Sequence, residues 1–105
     1  MRSLLEVKTE IAAIMSTEFK KSTEKSRARG RLKFLKTVQF YLEGNPTEYF
    51  IKKEIERLEN RNNLLLSQFD ESKYSNYSKP KKKYEEEMGI PLLRVQLRAL
   101  RYIKK

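Results

Sequence analysis

The residues best suited to binding chemistry in this sequence are lysines and arginines, and they fall into two dense clusters. The first cluster spans residues 20–36 and holds eight cations against one acid, Glu24, for a net charge of +7. Its members are Lys20, Lys21, Lys25, Arg27, Arg29, Arg31, Lys33 and Lys36. On a helix, the cations four residues apart between Lys21 and Lys33 share one face. Such a row could bind phosphates or acidic side chains, or it could be an ordinary solvated face.

A row of small residues runs beside these cations and consists of Ser22, Ser26 and Gly30. Small side chains let another backbone approach closely, and the two hydroxyls can donate hydrogen bonds to phosphate oxygens. The pattern predicts a surface of close approach, either for an anionic partner or for a second helix that crosses at this point.

The second cluster lies in residues 91–105, which contain no acid and carry a net charge of +5. Its cations Arg94, Arg98, Arg101 and Lys105 step by four, three and four, and so share one helix face. Arginine can hold a carboxylate or a phosphate through two parallel hydrogen bonds. The clusters together exceed the whole-chain charge of +10, so the remaining residues are net negative. This localisation predicts a surface for an anionic partner. The alternative is that these cations form the ordinary solvent-exposed face of a helix whose other face packs in the core.

Two tyrosines, Tyr74 and Tyr77, lie in a segment rich in serine and lysine. Aromatic rings among lysines can stack on unpaired bases, but the sequence lacks the strand pattern of an RNA-recognition fold. We expect instead an adaptable loop in which Tyr74 and Tyr77 contact a protein neighbour.

The sequence offers little that could carry catalysis. It has no Cys and no His, which excludes disulfides and thiolate metal sites and removes the commonest general base. Residues 22–25 match the S-x-x-K spacing, but the elements that accompany it in β-lactamases are absent. The acidic run 85–87 has no second ligand cluster. We therefore expect no catalytic residue, no metal site, no cofactor and no enzyme activity.

The periodicity of apolar residues predicts an all-α fold, a small single helical domain over residues 1–105. The first helix is predicted over 3–43, with Ser3 and Glu6 forming a capping box. A helix of that length would be roughly 60 Å long, so it must either project from the domain or break between Ser16 and Gly30. Apolar steps of three and four mark both of its ends: Leu4, Val7, Ile11 and Ile14, then Leu32, Leu35, Val38 and Leu42.

The later elements are predicted as a helix over 46–69, a loop over 70–79, a short helix over 80–88 and a helix over 91–104. Gly44 is expected to end the first helix, with Asn45 capping the second and Pro46 at its first position. Asn62 interrupts the apolar stripe of the second helix and is expected to mark where that face becomes wet. The expected core or interface residues are Leu58, Leu65, Leu97 and Leu100.

The composition resembles that of a known group of proteins. The chain is rich in Lys, Glu, Asn and Tyr, lacks Cys, His and Trp, and joins short helices at Gly44-Asn45-Pro46 and Gly89-Ile90-Pro91. In these respects it resembles the small helical virion and accessory proteins of tailed bacteriophages with AT-rich genomes, including crAss-like phages. The resemblance spans the whole chain but is one of composition, and no functional residue can be carried over from it. It implies a capsid-associated or assembly role.

Three functions are compatible with these patterns. The leading expectation is a structural protein docked on a larger assembly, with an acidic protein surface or a capsid lattice as its partner. The alternative is a nucleic-acid-binding accessory protein that contacts phosphates through residues 20–36 and 94–105. A third function is that of an inhibitor that binds one host enzyme tightly. The N-terminus shows no secretory signal, so we expect an intracellular or virion location, with a membrane partner disfavoured and oligomerisation left open.

Overall fold

The computed structural model describes all 105 residues and contains five α-helices and no strand, which confirms the predicted all-α fold. The elements are α1 (Leu4–Met15), α2 (Ser22–Glu43), α3 (Glu48–Ser67), a 3₁₀ turn (Glu71–Tyr74), α4 (Pro80–Glu87) and α5 (Ile90–Lys104).

The predicted helix over 3–43 is broken, because residues 16–21 are not helical and separate α1 from α2. At the end of α1 the hydroxyls of Ser16 and Thr17 both donate to the carbonyl of Ala13, in competition with the helical hydrogen bonds. The break lies within the expected interval, but Gly30 is inside α2. In one continuous helix the apolar stripes of the two halves would lie far apart on the same face. The break lets α1 fold back and bury Val7 in the core that contains Leu35.

The turn between α2 and α3 differs from the prediction in two ways. Gly44 has an ordinary φ of −73°, and it is Asn45 that takes the positive φ, 50°. Asn tolerates this region better than most residues. Thr47, not Asn45, caps α3, since its hydroxyl accepts from the amide of Phe50 at 3.1 Å. Pro46 therefore precedes the helix.

The other helix boundaries follow the prediction more closely. Ser3 caps α1 as expected, by accepting from the amide of Glu6, and Pro80 opens α4. Gly89 adopts the left-handed conformation, with a φ of 71°, between α4 and α5. Gly89 is the N-cap residue of α5, so this helix begins at Ile90 rather than at Pro91. The segment expected to be loop over 70–79 contains the 3₁₀ turn.

Helix α5 is the centre of the fold, with contacts to α2, α3 and α4. The core consists of Val7 from α1, Leu35, Val38 and Leu42 from α2, Ile51, Ile55 and Leu58 from α3, and Leu93, Leu97, Ala99, Leu100 and Ile103 from α5. This confirms the expected burial of Leu58, Leu97 and Leu100, whereas Leu65 is only partly buried against the core. No polar side chain is fully buried.

The molecule is thin for its length. Its principal extents are 48 × 40 × 17 Å and its radius of gyration is 17.0 Å, against about 13 Å for a compact domain of 100 residues. Only 14 of the 105 residues are buried. The broad faces of this layer therefore present most side chains to possible partners.

Candidate binding surface

A groove of about 640 Å³ between α2 and α5 brings the two predicted basic clusters together. It is lined by Gly30, Lys33, Phe34, Lys36, Thr37, Val95 and Arg98. Lys33 and Lys36 belong to the first cluster and Arg98 to the second. None of the three forms an ion pair with an acid of the chain. Three uncompensated positive charges thus surround one groove, and we call this feature the α2/α5 groove.

Phe34 and Arg98, which line the α2/α5 groove, belong to a larger stack of aromatic and guanidinium groups. The guanidinium of Arg98 lies 5.6 Å from the ring centroid of Phe34, and Phe34 meets Tyr102 edge to face at 5.4 Å. The guanidinium of Arg31 is 5.3 Å from both ring centroids. Stacking of this kind holds an arginine in place while leaving its N–H groups free to donate.

The α2/α5 groove continues into an apolar region. The adjoining depression shares Lys36 and Thr37 with it and is also lined by Phe40, Tyr41, Leu92 and Gln96. Phe40 is 74% exposed and Leu92 is 62% exposed. Large exposed apolar side chains beside cations match a partner that offers both carboxylates and apolar groups. Phosphate backbones alone would leave the apolar part uncovered.

Other predicted anion-binding residues already have partners within the chain. Arg94 pairs with Glu85 at 2.6 Å, and Arg101 pairs with Glu59 at 3.3 Å. These two pairs link α5 to α4 and to α3. In the same way Arg31 pairs with Glu10 at 2.9 Å and links α2 to α1. The three arginines were predicted as binding residues, but the structure places them in contacts between helices.

The remaining cations of the first cluster do not line the α2/α5 groove. Lys20, Lys21, Lys25, Arg27 and Arg29 are exposed and form no ion pair. We call this set the basic pole. At 1.5 Å per residue, Lys21 lies about 18 Å from Lys33 along α2. Arg29, at the other end of the set, is only about 6 Å from Lys33 along the helix. The basic pole therefore extends from the start of α2 to the edge of the α2/α5 groove.

The small-residue row does not mark a helix crossing within the chain, so that part of the prediction is wrong. A Cβ placed on Gly30 would meet no atom within 4 Å, and Ser22 and Ser26 are exposed. Gly30 lines the α2/α5 groove, and close approach by an external partner remains a prediction.

The tyrosine segment is folded back on α4 rather than presented freely. Tyr74 is half-buried and packs against Phe69, Tyr77 and Tyr84, with ring centroids 5.7 to 6.2 Å apart. Its hydroxyl donates to Glu87 at 2.7 Å, and this hydrogen bond raises the pKa of Tyr74 above the ordinary value. Only Tyr77 is an exposed aromatic residue of this segment, so Tyr74 is less available to a neighbour than expected.

Asn62 is half-buried at the boundary between α3 and α5. It lines a groove together with Arg94, Leu97, Arg98 and Arg101. Asn62 was predicted to mark where the apolar face of α3 becomes solvent-exposed. In the structure it lies against the face of α5 that carries the arginines. This groove shares Arg98 with the α2/α5 groove.

Sequence reasoning missed a second groove, of about 770 Å³, at the turn between α2 and α3. It is lined by Phe40, Tyr41, Glu43, Gly44, Asn45, Pro46, Thr47, Phe50 and Glu54. These residues include two carboxylates and no cation, and we call the feature the acidic–aromatic groove. Burial, followed by the nearby Glu54 carboxylate, raises the pKa of Tyr41, while Arg57 acts in the opposite direction. Two pairs of adjacent aromatic residues, at 40–41 and 49–50, lie on either side of the turn. They were the sequence signal that could have indicated this groove.

Comparisons of the chain with protein-family models, with curated protein sequences and with solved structures found no match. None of the helices has both the length and the apolar character needed to cross a lipid bilayer. No three acidic side chains are grouped so that they could hold a metal ion. The α2/α5 groove, the basic pole and the acidic–aromatic groove are the features on which a functional interpretation can be built.

Proposed function

We propose that this chain is a non-catalytic assembly protein that docks through its α2/α5 groove on an acidic protein surface of a larger structure. The observation that carries the proposal is the convergence of Lys33, Lys36 and Arg98 on one groove that continues into the exposed side chains of Phe40 and Leu92. A phage capsid shell is the kind of assembly that the composition suggests.

The chemistry of the groove favours a protein partner. Cations without internal partners steer an acidic surface into place and select against basic ones. Exposed aromatic and aliphatic side chains such as Phe40 and Leu92 then supply the anchors that carry most of the affinity at protein interfaces. The mixture of both groups in one groove matches the charged rim and apolar centre of such interfaces.

The shape of the molecule is also compatible with docking. A stable interface buries about 800 Å² on each partner, and a layer with extents of 48 × 40 Å can supply this area from one face. A thin layer laid flat against a lattice buries much of its surface while adding little thickness.

A nucleic-acid partner is the second candidate, and the basic pole is the observation that favours it. Its five exposed cations have no ion pair and could follow a phosphate backbone. Five phosphate contacts to duplex DNA would give a log–log salt slope near about −4.5. Protein docking and phosphate binding therefore predict different critical residues, since the first depends on the α2/α5 groove and the second on the basic pole.

The test compares a groove variant with a control of equal charge. The groove variant carries Lys33→Gln, Lys36→Gln and Arg98→Gln, and the control carries Lys81→Gln, Lys82→Gln and Lys104→Gln at exposed positions elsewhere. We expect the wild type and the control to sediment with nuclease-treated particles from the native source at physiological salt. The groove variant should be released, because it loses the charges that face the partner and the control does not.

Affinity for duplex DNA provides the second measurement. Under the proposal, naked DNA binds weakly and the groove variant is still released from nuclease-treated particles. Tight, steeply salt-dependent DNA binding with no association with particles would contradict the proposal and support the nucleic-acid function.

A further inference from the structure

The two ends of α2 carry opposite charge. The basic pole surrounds the N-terminal end of the helix, and the acidic–aromatic groove lies at its C-terminal end, where α2 meets α3. The 22 residues of α2 separate these ends by about 33 Å. The helix dipole reinforces the difference, since its N-terminus is positive and its C-terminus negative.

The basic pole includes apolar surface as well as charge. Met15, which ends α1, is 70% exposed, and Phe19 in the following turn is half-buried. The pole can therefore contribute apolar contacts together with lysine and arginine side chains. Glu24 is the single acid in residues 20–36, and Glu18 lies in the turn between Met15 and Phe19.

The acidic–aromatic groove has the complementary properties. Glu43 and Glu54 line it and no cation does, although the chain as a whole carries +10. Glu43 accepts one hydrogen bond from Gln39, and Glu54 pairs with Arg57 on α3. Each carboxylate has two oxygens, which together accept more hydrogen bonds than these.

The aromatic side chains give the groove a second means of holding a cation. Phe40 and Phe50 are 74% and 46% exposed, and Tyr41 contributes a third ring to the lining. Aromatic faces attract lysine and arginine side chains, an effect that adds to the attraction of the carboxylates. Their apolar area can also cover the exposed thioether of Met15.

The basic pole and the acidic–aromatic groove cannot meet within one molecule, because they lie at opposite ends of the same helix. We propose that the basic pole of one copy of this chain binds the acidic–aromatic groove of a second copy, so that copies associate head to tail. This contact shares Phe40 and Tyr41 with the apolar continuation of the α2/α5 groove, but it uses none of the cations Lys33, Lys36 and Arg98. Charge variants therefore test it separately from the docking function proposed above.

Head-to-tail association uses two different surfaces and leaves one of each free at the ends. Such a contact produces a ring if the rotation between copies closes and a filament if it does not. Two copies of charge +10 repel each other at long range, but at physiological salt charges more than about 8 Å apart are largely screened. Direct contacts between the basic pole and the groove are screened much less.

Sedimentation velocity of the full chain over a range of protein concentrations and at low and high salt tests the proposal. We expect the wild type to form species heavier than a dimer at low salt and to dissociate at high salt. A pole variant, Lys21→Glu with Lys25→Glu, and a groove variant, Glu43→Lys with Glu54→Lys, should each weaken association at least about tenfold.

Two control variants separate these effects from a change in net charge. Lys81→Glu with Lys82→Glu changes the charge as the pole variant does, and Glu71→Lys with Glu86→Lys changes it as the groove variant does. Each control should associate like the wild type, since none of its positions lies in the contact. Seven of the eight positions are exposed and Glu54 is half-buried, and circular dichroism should show unchanged helix content in every variant.

Mixing the pole and groove variants provides the sharpest test. The pole variant keeps an intact groove and the groove variant keeps an intact pole, so an equimolar mixture should regain at least the heterodimer that neither variant forms alone. A wild type that stays monomeric at low salt up to its highest soluble concentration would overturn the proposal. Controls that lose association like the pole and groove variants, or a mixture that yields no heterodimer, would overturn it equally.

Discussion

The two basic clusters look alike in sequence and differ in what the fold does with them. In the C-terminal cluster, Arg94 and Arg101 are paired with acids of neighbouring helices. In the basic pole, no cation is paired. Density of charge along the chain therefore does not reveal which cations are free to bind a partner. The position of each cation relative to the helices packed around it decides this.

The difference has a simple structural cause. Helix α5 lies at the centre of the layer, and its neighbours α3 and α4 bring Glu59 and Glu85 to its exposed side. The start of α2 has no such neighbours, since residues 20–27 are all exposed. One cluster thus contributes to the cohesion of the fold, while the other remains available for intermolecular contacts.

The largest effect should come from the buried face of the helix that carries the C-terminal cluster. Leu100→Ala removes a side chain with no exposed surface, and we expect it to lower the free energy of unfolding by about 2–5 kcal/mol. Urea unfolding measures this change. Leu92→Ala, on the same helix but 62% exposed, should change it by no more than about 0.5 kcal/mol. A neutral Leu100→Ala would show that α5 does not hold the layer together.

The second-largest effect should be seen in DNA binding, which shows how readily each cluster contacts a polyanion. Lys25→Gln with Arg29→Gln and Arg94→Gln with Arg101→Gln each remove two charges. The first pair should flatten the log–log salt slope of binding to duplex DNA by up to about 1.8 if both cations contact phosphates. The second pair should flatten it less, because these arginines already have carboxylate partners. Equal changes in slope would remove the distinction drawn between the clusters.

The smallest effect concerns stability. Arg101→Gln breaks a half-exposed ion pair with Glu59, which should cost at most about 1 kcal/mol and less at high salt. Arg29→Gln should leave stability unchanged or raise it slightly, because it removes repulsion within the basic pole. Thermal unfolding at low and high salt measures both. If Arg29→Gln is the more destabilising of the two, Arg29 has an internal role that its lack of an ion pair does not indicate.

Several parts of the fold follow directly from local sequence. Ser3 caps α1 as predicted, and Pro80 opens α4. The turn after α2 was predicted at the right place but with the wrong roles, because Gly, Asn, Pro and Thr at 44–47 can each take the part of a cap or of a left-handed residue. The packing of α3 against α5 selects among these arrangements, and no local rule contains that information.

The candidate site was predictable only in part. The cations were evident as clusters, but their division into the α2/α5 groove, the basic pole and the ion-paired arginines was not. The acidic–aromatic groove joins Phe40 and Glu43 at the end of α2 to Phe50 and Glu54 in α3. Before the angle between these helices is known, such residues look like the ordinary exposed positions of two separate helices.

By itself the sequence determined the all-helical class, the apolar stripes that become the core and the localisation of positive charge. Periodicity and charge are properties of neighbouring residues and can be read from their spacing. Only the tertiary structure decided that the first helix breaks at residues 16–21, and that Arg98 joins Lys33 and Lys36 in one groove while Arg94 and Arg101 are paired. These outcomes depend on which helices pack side by side, and burial of the shared apolar core, rather than any local preference, sets that arrangement.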